Sequence, residues 1–288
     1  MADARIVDRG YRPYDGPRSG TRGAVRSLAW HSVLRALGLK RSPWAKVFPA
    51  LSVLIAYLPA AVFVGVAALL PENLATDTGL LPTYADYYGF ISAAIIIFVA
   101  LVGPEVLCTD RRNGMLGLYL ASPLTRATYL GAKVLAVAPV LALVTLGPLL
   151  LLLVGLTFAD AGPDGMVDFL GILARMVAGG VVISVAYTAI SLAAASLTDR
   201  RAVASAAVIL LLLVSASAAS TLVGIGGDTR IQLLNLFFLP FELVQRIYGQ
   251  VGEEPAIATL ELVAATFAWT AAAAGVVWGR YRRLQVAR

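Results

Sequence analysis

Side chains able to do chemistry concentrate in one stretch, residues 105–133, EVLCTDRRNGMLGLYLASPLTRATYLGAK. Glu105 opens it, Asp110 precedes the basic pair Arg111 and Arg112, and Arg126 and Lys133 close it. Asn113-Gly114 supplies a bend. Ser122 can cap the helix that follows, and Pro123 suits its first turn. Between the two breaks lies a short helix. Its Leu116, Tyr119 and Leu120 form an apolar anchor face, with Arg111, Arg112 and Arg126 around it. The chemistry open to such a set is docking, by apolar contact and charge. A second reading lays the apolar residues on a membrane and gives the arginines to anionic lipid. Glu105 has two readings as well: a helix-end acid pairing with Arg111 or Arg112, or a direct part in energy coupling.

Covalent and metal chemistry find no support. There is no Gly-x-x-x-x-Gly-Lys-Ser/Thr loop to cradle a nucleotide phosphate, and no His-Glu-x-x-His, Cys-x-x-Cys or Gly-x-Ser-x-Gly. The single cysteine, Cys108, rules out a disulfide framework, and the single histidine, His31, a His-rich metal site. No cofactor or metal site is expected in this chain. Ion-driven carriers need acids or histidines at membrane depth, and the apolar segments carry no ionisable group well inside them. Arg175, at the outer end of one segment, is expected to snorkel or to pair with Asp168 or another outer-loop acid.

The elements that must position this stretch are membrane helices. Of 288 residues, 59% are hydrophobic and only 14% charged, against about 25% charged in soluble domains; mean hydropathy is +0.81. Six apolar segments stand out: 47–70, 87–104 (reaching about 108), 134–159, 176–198, 202–227 and 262–279. A segment of about 20 residues spans a hydrocarbon core of about 30 Å. With the N-terminus inside and six crossings, all of the 23 Lys and Arg except Arg175, Arg230 and Arg246 lie inside. Acids from Glu72 and Asp77 to Glu253, Glu254 and Glu261 fall outside. The positive-inside rule therefore puts both termini in the cytoplasm. The net charge of +6 is spread over these loops, which speaks for a membrane surface and against nucleic acid. The first apolar run begins only near residue 47, so no signal peptide is expected. Basic residues that are mostly Arg, with abundant Ala, suggest a GC-rich bacterial gene and hence the bacterial plasma membrane.

Two flanking elements complete an all-α, polytopic fold with six transmembrane helices. Residues 1–46 form a basic cytoplasmic segment in which Trp30, Val33, Leu34 and Leu37 repeat at helical spacing. Ser27, His31 and Arg35 lie opposite. Such a helix lies in the membrane interface or packs on another protein surface. Residues 229–255 are too apolar for a free loop and too interrupted, at Asn235 and Pro240, for a span. They read as two short outer helices, re-entrant or interfacial. The core domain is 47–279, and 280–288 is a basic cytoplasmic tail. Gly275 and Gly279, with Ala264, Ala268 and Ala272, give the sixth helix a small-residue face that allows close helix approach.

The stretch also resembles the ABC-2 type permease pattern. Glu105, Asp110-Arg111-Arg112-Asn113-Gly114-Met115-Leu116, Leu118-Tyr119-Leu120, Ser122-Pro123-Leu124-Thr125-Arg126 and Tyr129-Leu130-Gly131-Ala132-Lys133 carry the likeness. Met115 stands where that family often has Thr, and Arg111-Arg112 replaces a more acidic run. The resemblance implies a permease dimer, of two identical or related copies, driven by two separate ABC ATPase subunits that use ATP and Mg. It also implies that residues 105–133 contain the coupling helix seated on the ATPase. The chain itself would then be no enzyme. Clean apolar spans favour export of a hydrophobic or amphipathic compound, a drug-like natural product or a lipid. The rival readings are an ATP-independent carrier or channel and a membrane-embedded lipid enzyme.

Overall fold

The computed structural model describes residues 16, 19–39, 42–69, 80–252 and 256–284. The basic residues before Ser19, Lys40, Arg41, the acids Glu72, Asp77, Glu253 and Glu254, and the tail beyond Leu284 lie outside the described residues. Among those described there is no strand. The helices are α1 (Gly20–Ala36), α2 (Val47–Leu69), α3 (Tyr87–Ile97), α4 (Glu105–Arg112), α5 (Met115–Ala121), α6 (Arg126–Phe158), α7 (Met166–Leu197), α8 (Arg201–Gly224), α9 (Phe238–Ile247) and α10 (Thr259–Arg283).

Six helical stretches are long and apolar enough to cross a membrane: Pro43–Leu69, Tyr87–Arg112, Arg126–Phe158, Met166–Leu197, Arg201–Gly224 and Thr259–Arg283. The third and fourth begin well before their apolar windows. Hydropathy marks only the hydrocarbon part of a helix, whereas hydrogen bonding carries it on to the next cap. At 33 residues and about 1.5 Å per residue, α6 is about 50 Å long, so it projects well beyond a hydrocarbon core of about 30 Å.

Helix α6 is the centre of the bundle. It packs against α1, α2 and α7, and α7 packs in turn on α10. Its buried column runs Tyr129, Lys133, Val137, Leu141, Val144 and Pro148, at the spacing of one helix face.

The second span is not one regular helix. A π-turn, Phe98–Val102, joins α3 to α4, with Gly103 N–H bonding Phe98 O at 3.0 Å. Continuing that register would ask Pro104 to bond Val99 O, and proline has no N–H. Ser191 Oγ–H donates to Val99 O instead, at 2.8 Å. A Cβ on Gly103 would lie 2.2 Å from Ser191 Oγ, so glycine is needed for this approach. Such π-turns inside a helix are frequent at functional sites.

The 229–255 element forms two short helices, a 3₁₀ turn Thr229–Leu234 and α9. Asn235 separates them and caps α9, its Oδ1 accepting from the N–H groups of Phe237 and Phe238 at 3.1 and 3.0 Å. Pro240 does not interrupt; it occupies the first turn of α9, where a missing N–H costs nothing. Glu242 is buried and pairs with Arg246 at 3.1 Å. Arg175 sits in α7 seven residues beyond Asp168, about 10 Å along the axis, too far for that expected pair. It is exposed, and among the described residues it makes no ion pair.

Candidate functional site

Residues 105–133 fold as α4, a bend, α5, a short loop and the start of α6. The bend is at Gly114, whose φ of +64° is the left-handed region that disfavours other residues. The second break differs from the sequence expectation. Ser122 ends α5, donating to Tyr119 O at 2.6 Å, and Pro123 lies in the loop. The N-cap of α6 is Thr125: its Oγ1 accepts from Thr128 N at 3.2 Å, and Thr128 Oγ1 accepts from Thr125 N at 2.8 Å. This is a reciprocal capping box, and Leu124 beside it is buried.

Helix α4 is tied on every side. Arg201 Nη1 lies 2.8 Å from Glu105 Oε2, and Arg201 Nη2 donates to Leu101 O in the π-turn at 2.8 Å. The ion pair of Glu105 therefore reaches Arg201 at the start of α8. Arg111 is engaged elsewhere: it donates to Ser196 O and Thr198 O, taking up carbonyls left open at the end of α7. Cys108 Sγ lies against Ala195 O and Thr198 O, at 3.7 and 3.6 Å. Arg112 is exposed.

Asp110 is fully buried and is the hub of the site. Its Oδ1 pairs with Arg35 of α1. Its Oδ2 lies 2.6 Å from Lys133 Nζ and accepts from Tyr129 Oη at 3.0 Å. Lys133 Nζ also donates to Ser32 Oγ at 2.9 Å and lies 5.3 and 5.8 Å from the ring centroids of Tyr129 and Tyr119. Tyr119, Tyr129 and Tyr281 form a stack with successive centroids 5.8 Å apart. The cluster thus joins α1, α4, α5, α6 and α10. Burial and the Asp110 charge raise the Tyr119 phenol above its ordinary value, opposed by Arg35. Asp110 and Lys133 both lie within membrane-length helices, but near one end of each rather than well inside, and Asp110 is shared between Lys133 and Arg35.

This cluster also reorients α1. The face turned inward is Leu28, Ser32 and Ala36, with Arg35 beside it, because the buried Asp110 draws a guanidinium across. The expected stripe of Trp30, Val33, Leu34 and Leu37 is split: Trp30 is 60% exposed and the other three are half-buried. The anchor face of α5 is similarly corrected. Leu116 and Tyr119 pack onto the core, Leu120 is half-buried, and the apolar side chain that points outward is Leu118, 66% exposed. Arg126 does not flank this face. It donates to Arg282 O at 2.8 Å and Leu284 O at 3.1 Å, closing the end of α10. A cavity of about 420 Å³ lies between α1 and α5, lined by Ser27, His31, Arg35, Tyr119, Ser122 and Leu124.

Sequence reasoning gave no site role of their own to Ser32, Arg35, Leu118, Tyr129 and Arg201. One signal was there to find: Tyr129 and Lys133 are four residues apart in a helix and so share one face.

An all-helical bundle with six membrane-length helices and a bent segment held at one end defines a multi-pass membrane protein. Residues 47–278 match the family described as ABC-2 family transporter protein. The match runs from the first span to the last, and the chain belongs to that family. A comparison with curated proteins gives no match.

Proposed function

We propose that this chain is the transmembrane subunit of an ATP-driven transporter, coupled to a separate ABC ATPase and acting as an exporter of a hydrophobic or amphipathic compound. The observation that carries the reading is the form of the Gly114–Thr125 segment. Helix α5 is bounded by a left-handed glycine and a capped helix start. Its inner face is pinned through Tyr119 to the Asp110 cluster, and its outer face presents Leu118, 66% exposed. A push on α5 from outside would pass to α6 and α10 through stacked side chains rather than dissipate in a loop. ATP and Mg would be handled by the partner, since this chain has no phosphate-binding loop.

The basic residues support placing this end of the bundle, with both termini, on the cytoplasmic side of a bacterial plasma membrane. A second copy of the permease, or a related one, would complete the transporter. The test is co-expression with the ABC ATPases encoded in the same genome. A stable complex should form, and Leu118→Asp should release the ATPase while the permease elutes unchanged. Failure of the unaltered chain to hold any ATPase, or full ATP-driven transport by the variant, would sink the reading.

A further inference from the structure

A second cavity, of about 880 Å³, lies where the starts of α2 and α8 meet the π-turn and the end of α4. Its lining combines two chemistries. Phe48, Leu101 and Ile209 supply an apolar wall, while Arg112, Arg200 and Arg201 supply basic groups, with Asp199 the one acid among the lining residues. Arg201 is engaged: it pairs with Glu105 and its guanidinium lies 6.0 Å from the Phe48 ring centroid. Arg112 and Arg200 are exposed and make no ion pair among the described residues. Arg200 is the N-cap residue of the 24-residue helix α8, so the positive end of the helix dipole lies beside it. The flanking helix surfaces are apolar and exposed, Leu51 and Leu54 on α2 and Val203 and Leu210 on α8, so the cavity opens beside surfaces suited to lipid.

We propose that this cavity binds an anionic membrane lipid, with the headgroup phosphate between Arg112 and Arg200 and an acyl chain along Phe48, Leu101 and Ile209. Two exposed guanidiniums select an anion over a zwitterion, and the apolar wall selects a lipid over a free phosphate. The lipid would bridge the start of α8 to Arg112, two residues before the Gly114 bend, and so brace the root of the coupling segment. The inference rests on the membrane reading above but not on the ATPase partnership.

The test uses the purified full-length permease without any ATPase, so a failed partnership leaves the readout untouched. The protein is held in bilayer discs of phosphatidylcholine and phosphatidylglycerol, released into the gas phase, and its retained lipids are counted by mass. Phosphatidylglycerol should be retained in clear excess over phosphatidylcholine. Arg112→Gln with Arg200→Gln should cut that retention about tenfold or more, while Arg112→Lys with Arg200→Lys keeps most of it. Ile209→Trp, which fills the apolar wall without changing charge, should cut it as well. Equal retention of the two lipids, or undiminished retention in the Gln variant or in Ile209→Trp, overturns the proposal. Displacement of the lipid by millimolar glycerol phosphate also overturns it, assigning the site to a soluble phosphate.

Discussion

Asp110 Oδ2 lies 2.6 Å from Lys133 Nζ, and both side chains are almost wholly shut off from solvent. A buried ion pair is poor support for stability, because desolvating two charges can cost more than their attraction returns. Its value here is geometric. The Asp110 carboxylate accepts from α1 and α6 at once, so the three helices have one arrangement in which both cations reach the single buried anion.

Asp110→Asn removes the one anion between Arg35 and Lys133. An uncompensated buried cation costs about 3–5 kcal/mol, so the unfolding temperature of the purified permease should drop sharply. Lys133→Met added to Asp110→Asn should recover much of the loss, since the fully buried stranded charge is gone and Arg35 keeps access to solvent. Additive losses in the double variant would show that the pair does not act as a unit.

Leu118 and Tyr119 are neighbours with opposite tasks. Tyr119 stacks on Tyr129 and packs on the core, and such aromatic pairs contribute about 0.5–1.5 kcal/mol beyond their burial. Tyr119→Ala should therefore lower the unfolding temperature. Leu118→Ala should leave it unchanged and weaken ATPase binding by about tenfold, as expected for an apolar residue at the centre of an interface. Equal ATPase affinity for Leu118→Ala and the unaltered chain would exclude Leu118 from the docking face.

The six spans were legible because about 20 uninterrupted apolar residues have few other uses. The family pattern was legible in Ser122-Pro123 and Tyr129 to Lys133. What stayed hidden is how the polar residues were shared out. Arg35 reads as the solvent side of an amphipathic helix until the partner of Asp110 is known. Nothing local in Arg126 says that it will close the end of α10, because the contact joins residues 156 apart. Lys133 looked like the last loop residue because hydropathy cannot see that α6 starts at the Thr125 cap. Long-range pairing decided each of these, and spacing carries no record of it.

The two hydrogen bonds from Arg126 to the carbonyls of Arg282 and Leu284 predict a local effect. Bonds from a charged donor contribute about 1.5–3 kcal/mol. Arg126→Ala should loosen the end of α10, seen as faster amide hydrogen exchange over residues 280–284, with little change in the first half of that helix. Arg126→Lys can reach only one carbonyl at a time and should fall between. Unchanged exchange in the Ala variant would mean that the end of α10 is held by other contacts.

Gly114 offers the sharpest test of the bend itself. A Cβ there would meet nothing within 4 Å, so no clash confuses the result, and the whole effect of Gly114→Ala comes from its φ of +64°. Holding an L-residue in that region costs about 1–2 kcal/mol. The Ala variant should fold with its unfolding temperature lowered slightly, yet lose much of its ATP-driven transport as α5 swings off its set angle. Asn enters the left-handed region more readily than Ala, so Gly114→Asn should keep most of the transport that Ala loses. If the two variants transport equally, backbone geometry at residue 114 does not set the coupling angle.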